Sequence, residues 1–384
     1  MLVARSAFSR RSEPTEAARE VADGLAGVAA QGRATAAVFF ATEEYGPAFE
    51  QISRLISSRA EVASVVGCTA AQVVTEAVAE AAPSGRGISA LAIGGGFEAE
   101  RFFLPGLRGR SDHLGHEIGR LASGGGPEPT TVLLLADSYN LAPDELLAGI
   151  SDAAGPVPVI GAGATEKGSV GETMVVAHGA TSANAVAGLV LRGVTVAPIQ
   201  CPVLAPVGPW WTVTAAEANR IRTLDGEPAL QRILLSLPET LREKPEETLA
   251  AVHVAIAEPE AVDTPLLRPI VGADPERGTL AVGDEVLPGT RIALAVGDPA
   301  TARGRLEESL SRLKADRKPD ALLYFQGALP GEAPYGLPGL DTAYLHRERA
   351  GSPLAGFASY VIFSPRRGRN RYHHFSGLVV GLTG

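Results

Sequence analysis

The chain has 384 residues, enough for two domains, and its 45% hydrophobic and 20% charged residues are typical of a globular protein. Its formal net charge of −9 argues against a nucleic-acid-binding protein, because neutralising the phosphate backbone requires clustered Lys and Arg. No apolar run reaches the roughly 20 residues that cross a bilayer, and the N-terminal residues lack a signal-peptide pattern, so the sequence predicts a cytoplasmic protein without membrane contact.

A unit of strand, helix, strand and strand occurs twice in the first half of the chain. The first copy begins with TAAVFFATEEYGPAFEQISRLI and the second with TTVLLLADSYNLAPDELLAGI. In each copy an apolar strand leads into a polar loop with a tyrosine, and a proline, Pro47 or Pro143, opens the helical pattern. A second strand then ends near Gly67 or Gly161, and another strand follows.

A third and looser copy closes the chain. A strand that starts at Pro319 ends in glycine, a helix with Asp341 as its cap follows, and paired strands complete the copy. The proline-rich residues 194–211 mark the boundary between two halves. We therefore expect an α/β protein whose repeated strand-helix-strand-strand units form mixed sheets in two lobes. Residues 1–195 hold two repeats, and residues 196–384 hold the third.

Small residues end the buried strands at places where a ligand can approach the backbone. Loops at strand ends of α/β sheets present backbone N–H groups, and glycine permits close approach. In the proposed pocket Cys68 supplies a thiol contact and Thr69 a hydroxyl contact. The full set of proposed ligand-binding residues is Gly67, Cys68, Thr69, Gly161, Ala162, Gly163, Gln326, Phe357 and Tyr360.

Three roles are open for Cys68, one of only two cysteines in the chain. A nucleophile needs a base within hydrogen-bond reach, and His178 is the best candidate for that base. The other two roles are a ligand contact and a buried structural thiol. His113 and His116 have helical spacing, but no third ligand is nearby in sequence, so we predict no metal site.

The segment PVGPWWTVTAAEANRIRTLDGEPALQRIL, residues 206–234, carries a family resemblance. It contains a Pro-x-Gly, a Val-Thr pair, an Asn, a Leu-Asp-Gly and a Pro-Ala-Leu in this order, and VVGCT at 65–69 and GAGA at 161–164 accompany it. With these motifs nearly the whole chain resembles the FIST family, which has FIST N and FIST C domains. The resemblance implies a non-catalytic sensor that binds a small, amino-acid-like metabolite between two lobes. It also implies a signalling partner such as a histidine kinase, a chemoreceptor or a cyclic-dinucleotide enzyme.

Two alternatives accompany this interpretation. Some proteins of the family bind haem and report nitric oxide, and the candidate haem ligands here are His178, His373, His374, Cys68 and Cys201. The other alternative is a thiol-dependent enzyme that uses Cys68. The chain also departs from the family pattern, since Gln326 stands in a region where a cysteine followed by an arginine is common.

Overall fold

The computed structural model describes residues 2–29, 34–75, 85–126, 128–168, 170–237, 249, 252–258, 261–314, 318–327, 333–349 and 351–384. Two compact units divide the chain. Unit 1 comprises Met1–Cys201 and Arg303–Gly384, and unit 2 comprises Pro202–Ala302. Unit 2 is thus an insertion in the sequence of unit 1.

The elements follow in chain order. The first repeat has β1 (Val3–Ser9), α1 (Pro14–Leu25), β2 (Ala34–Thr42), α2 (Phe49–Arg59), β3 (Ser64–Ala70), β4 (Val73–Thr75) and β5 (Ile88–Gly95). The second has β6 (Glu98–Pro105), α3 (Ser111–Ser123), β7 (Thr130–Ala136), α4 (Pro143–Ala154), β8 (Val159–Gly163), β9 (Val175–Ala177), β10 (Ala180–Ser182) and β11 (Ala185–Arg192). The third opens with β12 (Thr195–Pro202).

The inserted unit and the rest of the third repeat complete the chain. The insertion has β13 (Ala205–Glu217), β14 (Arg220–Leu224), β15 (Glu227–Pro228), α5 (Ala229–Ser236), β16 (His253–Glu258), β17 (Ala261–Asp274), β18 (Thr279–Val282) and β19 (Arg291–Val296). The third repeat continues with α6 (Pro299–Ser311), β20 (Ala321–Gln326), α7 (Leu340–Glu348), β21 (Leu354–Ala358), β22 (Ile362–Arg366), β23 (Arg369–His373) and β24 (Ser376–Thr383).

Each of the three repeats forms its own sheet, and the three sheets have the same strand arrangement. The strand order is β1-β5-β2-β3 in the first, β6-β11-β7-β8 in the second and β12-β24-β20-β21 in the third. In each sheet the two strands joined through a helix are parallel, and the last strand of the repeat pairs antiparallel with the first of these two. The mixed sheets and the repeated unit expected from the sequence are therefore confirmed.

The repeats also exchange strands in a closed ring. The first repeat donates β4 to β21 of the third, the second donates β9 to β3 of the first, and the third donates β22 to β8 of the second. Each donated strand pairs antiparallel with the edge strand of its host sheet, which is the second strand of the parallel pair. The sheet of every repeat is therefore completed by a neighbour.

The inner faces of the three sheets share one hydrophobic core. Successive strand residues point to opposite faces, so Phe40 enters this shared core while Phe39 packs beneath the helices of its repeat. The ring centroid of Phe40 lies 4.6 Å from that of Phe357 and 6.2 Å from that of Phe325. Aromatic side chains from the first and third repeats thus meet at the centre of unit 1.

Unit 2 is a closed antiparallel barrel. Among the described residues, six strands follow the order β13-β19-β16-β17-β18-β14, β14 pairs back with β13, and the short β15 pairs with β14. Trp211 is buried in the barrel core, while the guanidinium of Arg291 lies over the ring of the neighbouring Trp210. The hydrophobic cluster of this unit consists of its own residues.

Two helix starts differ from the sequence expectation. Pro47 lies within a 3₁₀ helix, Glu43–Ala48, and α2 begins only at Phe49, because Ala48 is not helical (φ −102°, ψ 3°). The cap of α7 is Gly339 with φ +72°, not Asp341. Asp341 lies in the first turn, and its side chain accepts hydrogen bonds from buried groups instead of capping the helix.

Candidate ligand site

A glycine lies near the middle of each of β3, β8 and β21, rather than at the strand end as expected for the first two, and it faces a neighbouring strand closely. A Cβ atom would lie 2.6 Å from the facing carbonyl oxygen at Gly67, 1.9 Å at Gly161 and 1.8 Å at Gly356. These distances are below any van der Waals contact, so the parallel strand pairing itself requires glycine here. The counterpart of Gly67 in the third repeat is therefore Gly356, and Gln326 ends the adjacent strand β20.

The strand ends of all three repeats meet at the buried residue Thr165, just beyond β8. Its hydroxyl accepts a hydrogen bond from the N–H of Ala71 (3.0 Å) and donates one to the carbonyl of Ala358 (2.7 Å). Its own N–H donates to the carbonyl of Thr69 (3.1 Å). One side chain of the second repeat thus joins the chain after β3 to the end of β21.

Ser359 adds a second connection at the same place. Its hydroxyl donates to the carbonyl of Gly163 (2.7 Å), and its N–H donates to the carbonyl of Gln326 (2.9 Å). Predicted site residues of all three repeats are therefore held in one hydrogen-bonded assembly. We call this assembly the rim and define it as residues 69–71, 137–140, 163–166, 326 and 358–360.

The rim presents exposed aromatic side chains beside a carboxylate. Tyr139 is 59% exposed and Tyr360 is 48% exposed, and Val170 next to them is 57% exposed. The hydroxyl of Tyr139 donates to Glu166 Oε1 (2.7 Å), and the N–H of Val170 donates to Glu166 Oε2 (3.1 Å). The hydrogen bond to Glu166, with smaller contributions that include the nearby Tyr360, raises the pKa of Tyr139 to about 12, so this hydroxyl stays protonated.

A buried aspartate fixes the loop that carries Tyr139. Asp137 accepts hydrogen bonds from the N–H of Tyr139 (3.2 Å), the hydroxyl of Thr173 (2.5 Å) and the side-chain amide of Asn140 (2.5 Å). An Asp directly after a strand commonly bonds the backbone two residues on, so the letters ADSYN contained a signal for this turn. Asp137, Thr165 and Glu166 were not among the site residues predicted from the sequence.

Gln326 and Tyr324 bond to a buried carboxylate beneath the rim. The amide of Gln326 donates to Asp341 Oδ2 (2.7 Å), and the hydroxyl of Tyr324 donates to the same oxygen (2.5 Å). Burial raises the pKa of Asp341 above its ordinary value, although both hydrogen bonds act to lower it. The rim therefore contains the main chain of Gln326, while its side chain is engaged under α7.

Three predicted site residues point into the shared core. Cys68, Ala162 and Phe357 are fully buried among apolar side chains. Burial raises the pKa of the Cys68 thiol well above its usual range, which is opposite to the shift that activates a nucleophile. His178, the candidate base, lies in the turn after β9 and lines an open cleft on α2 with Glu50 and Arg54.

We expect the Cys68 thiol to resist modification in the folded protein. In a Cys201→Ser variant, labelling by a thiol reagent at neutral pH should be at least about 100-fold slower than in denaturant, because reaction requires opening of the core. The rate is measured by the absorbance of the released chromophore. Labelling of the native protein at the rate of free cysteine would contradict this burial and would restore the thiol-enzyme interpretation.

Two of the candidate haem ligands, His373 and His374, are hydrogen-bonded through a ring nitrogen. His373 Nε2 lies 3.0 Å from the hydroxyl of Ser364, and His374 Nδ1 lies 2.8 Å from the carbonyl oxygen of Tyr360. Cys201 is buried, like Cys68, and burial raises its pKa to about 12.

In the described part of the chain, no three His, Cys, Asp or Glu residues are grouped to hold a metal ion. Within the same ranges, none of the helices has both the length and the apolar content needed to cross a bilayer.

Fold and rim define an α/β protein of three interlocked repeats with an inserted β-barrel. A sequence model of the FIST N domain matches residues 35–227, and one of the FIST C domain matches residues 228–362. The chain therefore belongs to the FIST family, whose domains are sensory domains of signal-transduction proteins. This confirms the family resemblance drawn from the motifs.

Two mycobacterial proteins are similar to this chain over long stretches. The uncharacterized protein MT0656 of Mycobacterium tuberculosis (strain CDC 1551 / Oshkosh) is 24% identical over 376 residues, which cover 95% of this chain and 94% of the relative. The uncharacterized protein Mb0898c of Mycobacterium bovis (strain ATCC BAA-935 / AF2122/97) is 28% identical over 295 residues, or 73% of this chain and 74% of the relative.

Proposed function

We propose that the protein is a cytoplasmic, non-catalytic sensor that binds a small, amino-acid-like metabolite at the rim and relays its occupancy to a signalling partner. The observation that carries the proposal is the junction at Thr165, which joins strand ends of all three repeats. A ligand at the rim would contact residues of both sequence halves, 1–195 and 196–384. It would therefore lie between the FIST N-like and FIST C-like parts of the chain.

The rim also offers a route from binding to output. Tyr139 belongs to the second repeat and Tyr360 to the third, so a ligand between their rings would favour one relative arrangement of these two repeats. A ligand shifts a conformational equilibrium only by its different affinity for the two states, and such two-sided contact supplies that difference. The partner we propose is a histidine kinase, a chemoreceptor or a cyclic-dinucleotide enzyme.

A metabolite screen by thermal shift tests the proposal. Compounds that bind the folded protein raise its melting temperature, by mass action. We expect some compounds to do so in the wild type and in the control variant Leu287→Ala, which removes an exposed apolar side chain of unit 2. The same compounds should lose at least about half of their shift in the double variant Tyr139→Ala/Tyr360→Ala, because two exposed ring contacts are gone.

Equal shifts in all three proteins would contradict the proposal, since binding would then be independent of the rim. Absence of any stabilising compound in a broad metabolite library would contradict it as well. Both variants replace exposed side chains, so each should melt close to the wild type without ligand.

A further inference from the structure

We propose that the ligand of the rim is an organic cation, with an amine, guanidinium or quaternary ammonium group held between Tyr139, Tyr360 and Glu166. This inference rests on the proposed function, because it names the chemical class that the same site takes. It depends on three independent features of the rim: the aromatic pair, the carboxylate beside Tyr139 and the balance of charge around them.

The aromatic pair is held ready for a cation. Tyr139 is mostly exposed, yet it is held at two points. Its main-chain N–H donates to Asp137, and its hydroxyl donates to Glu166. Tyr360 is half exposed, and the chain neighbours of the two tyrosines, Ser138 and Val361, both lie against Gly163. The face of a tyrosine ring attracts a cation within about 6 Å of its centre, and two such rings can enclose one.

The carboxylate of Glu166 lies beside Tyr139. This residue is only 6% exposed, and its two oxygens accept hydrogen bonds from Tyr139 and Val170. The two bonds fix the direction of the carboxylate. A carboxylate has further lone pairs for an N–H donor, so an ammonium or guanidinium group can bond to it directly.

The surroundings contain more acidic than basic groups. Four carboxylates lie at or beside the rim, and two basic groups near them, Lys167 and Arg108, are already bonded. The ammonium group of Lys167 pairs with Glu44 (2.5 Å), and the main-chain N–H of Lys167 donates to Glu43 (2.7 Å). The guanidinium of Arg108 donates to Asn140 (2.6 Å). An anionic ligand would meet repulsion here, whereas a cation would be attracted.

The carboxylates counted above are Glu43, Glu44, Asp137 and Glu166. The imidazole Nδ1 of His374 lies 2.8 Å from the main-chain carbonyl oxygen of Tyr360.

Calorimetric titration of the full chain with charge-matched probes tests the inference. The probes are tetramethylammonium, choline and 3,3-dimethyl-1-butanol, which has the shape of choline without its charge. We expect choline or tetramethylammonium to bind and the neutral alcohol to bind at least 10-fold more weakly. Glu166→Gln and Tyr360→Ala should each lower the cation affinity at least 5-fold, and Leu287→Ala should leave it unchanged.

The outcomes separate this inference from the proposed function. If neutral or anionic metabolites bind and are lost in the rim variants while both cations fail, the ligand class is wrong and the rim remains a binding site. Cation binding that survives both Glu166→Gln and Tyr360→Ala overturns the inference by locating the cation elsewhere. If no probe or metabolite of any charge binds, both proposals fail. Circular dichroism of the Glu166→Gln and Tyr360→Ala variants shows whether a loss of binding reflects a loss of folding. Tyr360 is exposed, so its variant should fold like the wild type.

Discussion

Residues 1–195 produced alone are expected not to reach a native fold, whereas residues 202–302 should fold independently. The shared core of unit 1 includes Leu323, Phe325 and Phe357, which lie outside residues 1–195. Without them the inner faces of the first two sheets are exposed, and the donated strands β4 and β22 lose a host or are missing. Such an exposed apolar surface leads to aggregation or a molten state.

Circular dichroism, dye binding and gel filtration of the separate fragments measure this. Residues 202–302 contain a closed barrel with its own hydrophobic cluster, so they should unfold cooperatively. Co-expression of residues 1–195 with residues 196–384 should recover a soluble complex, because the two pieces together restore the ring of strand exchange. A monomeric, cooperatively unfolding 1–195 fragment would show that the ring is not needed for folding.

The substitution Asp284→Ala is expected to destabilise the barrel by about 3–5 kcal/mol, since it removes the carboxylate paired with a buried arginine. Arg268 is only 1% exposed, and its Nε donates to Asp284 Oδ2 (2.8 Å). A second bond from the same guanidinium to the carbonyl of Leu267 (3.0 Å) holds the side chain inside. Removing the carboxylate removes attraction but leaves the desolvation cost of the cation.

Urea unfolding of residues 202–302 measures the loss, with Asp274→Ala as the matched control. Asp274 pairs with Arg277 at 3.8 Å on the surface, where such pairs contribute at most about 1 kcal/mol. The double variant Arg268→Met/Asp284→Leu should recover most of the stability, because no buried charge remains. An Asp284→Ala protein as stable as Asp274→Ala would mean that Arg268 is solvated or paired elsewhere.

Local patterns were sufficient to find the repeats. The first two copies were found from apolar strands, a proline near the helix start and a glycine in the next strand. These patterns are local in sequence, so no tertiary contact was needed to find them. The structural role of the glycine in each copy was not predicted. Gly67 and Gly161 were assigned to ligand access, but each also faces a carbonyl of the parallel strand at a distance that excludes a side chain.

The exchange of strands between repeats and the inserted barrel could not be predicted from local sequence patterns. The donated strands β4 and β9 have three residues each, too few for a periodic signal, and their partners lie far away in sequence. From its prolines, a boundary was predicted near residues 194–211. The return of the chain to unit 1 at Arg303 was not, because a helix crossing that point has an uninterrupted pattern.

The rim was predicted only in outline. Strand ends were expected to converge, and Thr69, Gly163 and Gln326 are joined through Thr165 and Ser359. Of the exposed aromatic side chains there, Tyr360 was predicted as a site residue and Tyr139 was not. Alternation along a strand decides which residues turn inward. This alternation directs Cys68 and Phe357 into the core. Tyr360 and Tyr139, in the loops beyond, remain exposed.

The most direct test of the rim as a ligand site is NMR of the protein with labelled tyrosine rings, of which it has seven. Signals of Tyr139 and Tyr360 are assigned by their phenylalanine variants and followed while a compound that raises the melting temperature is added. We predict that these two signals shift with the compound, while those of the buried Tyr45 and Tyr324 stay in place. Shifts confined to other tyrosines, or none at saturating compound, would contradict the rim as the site.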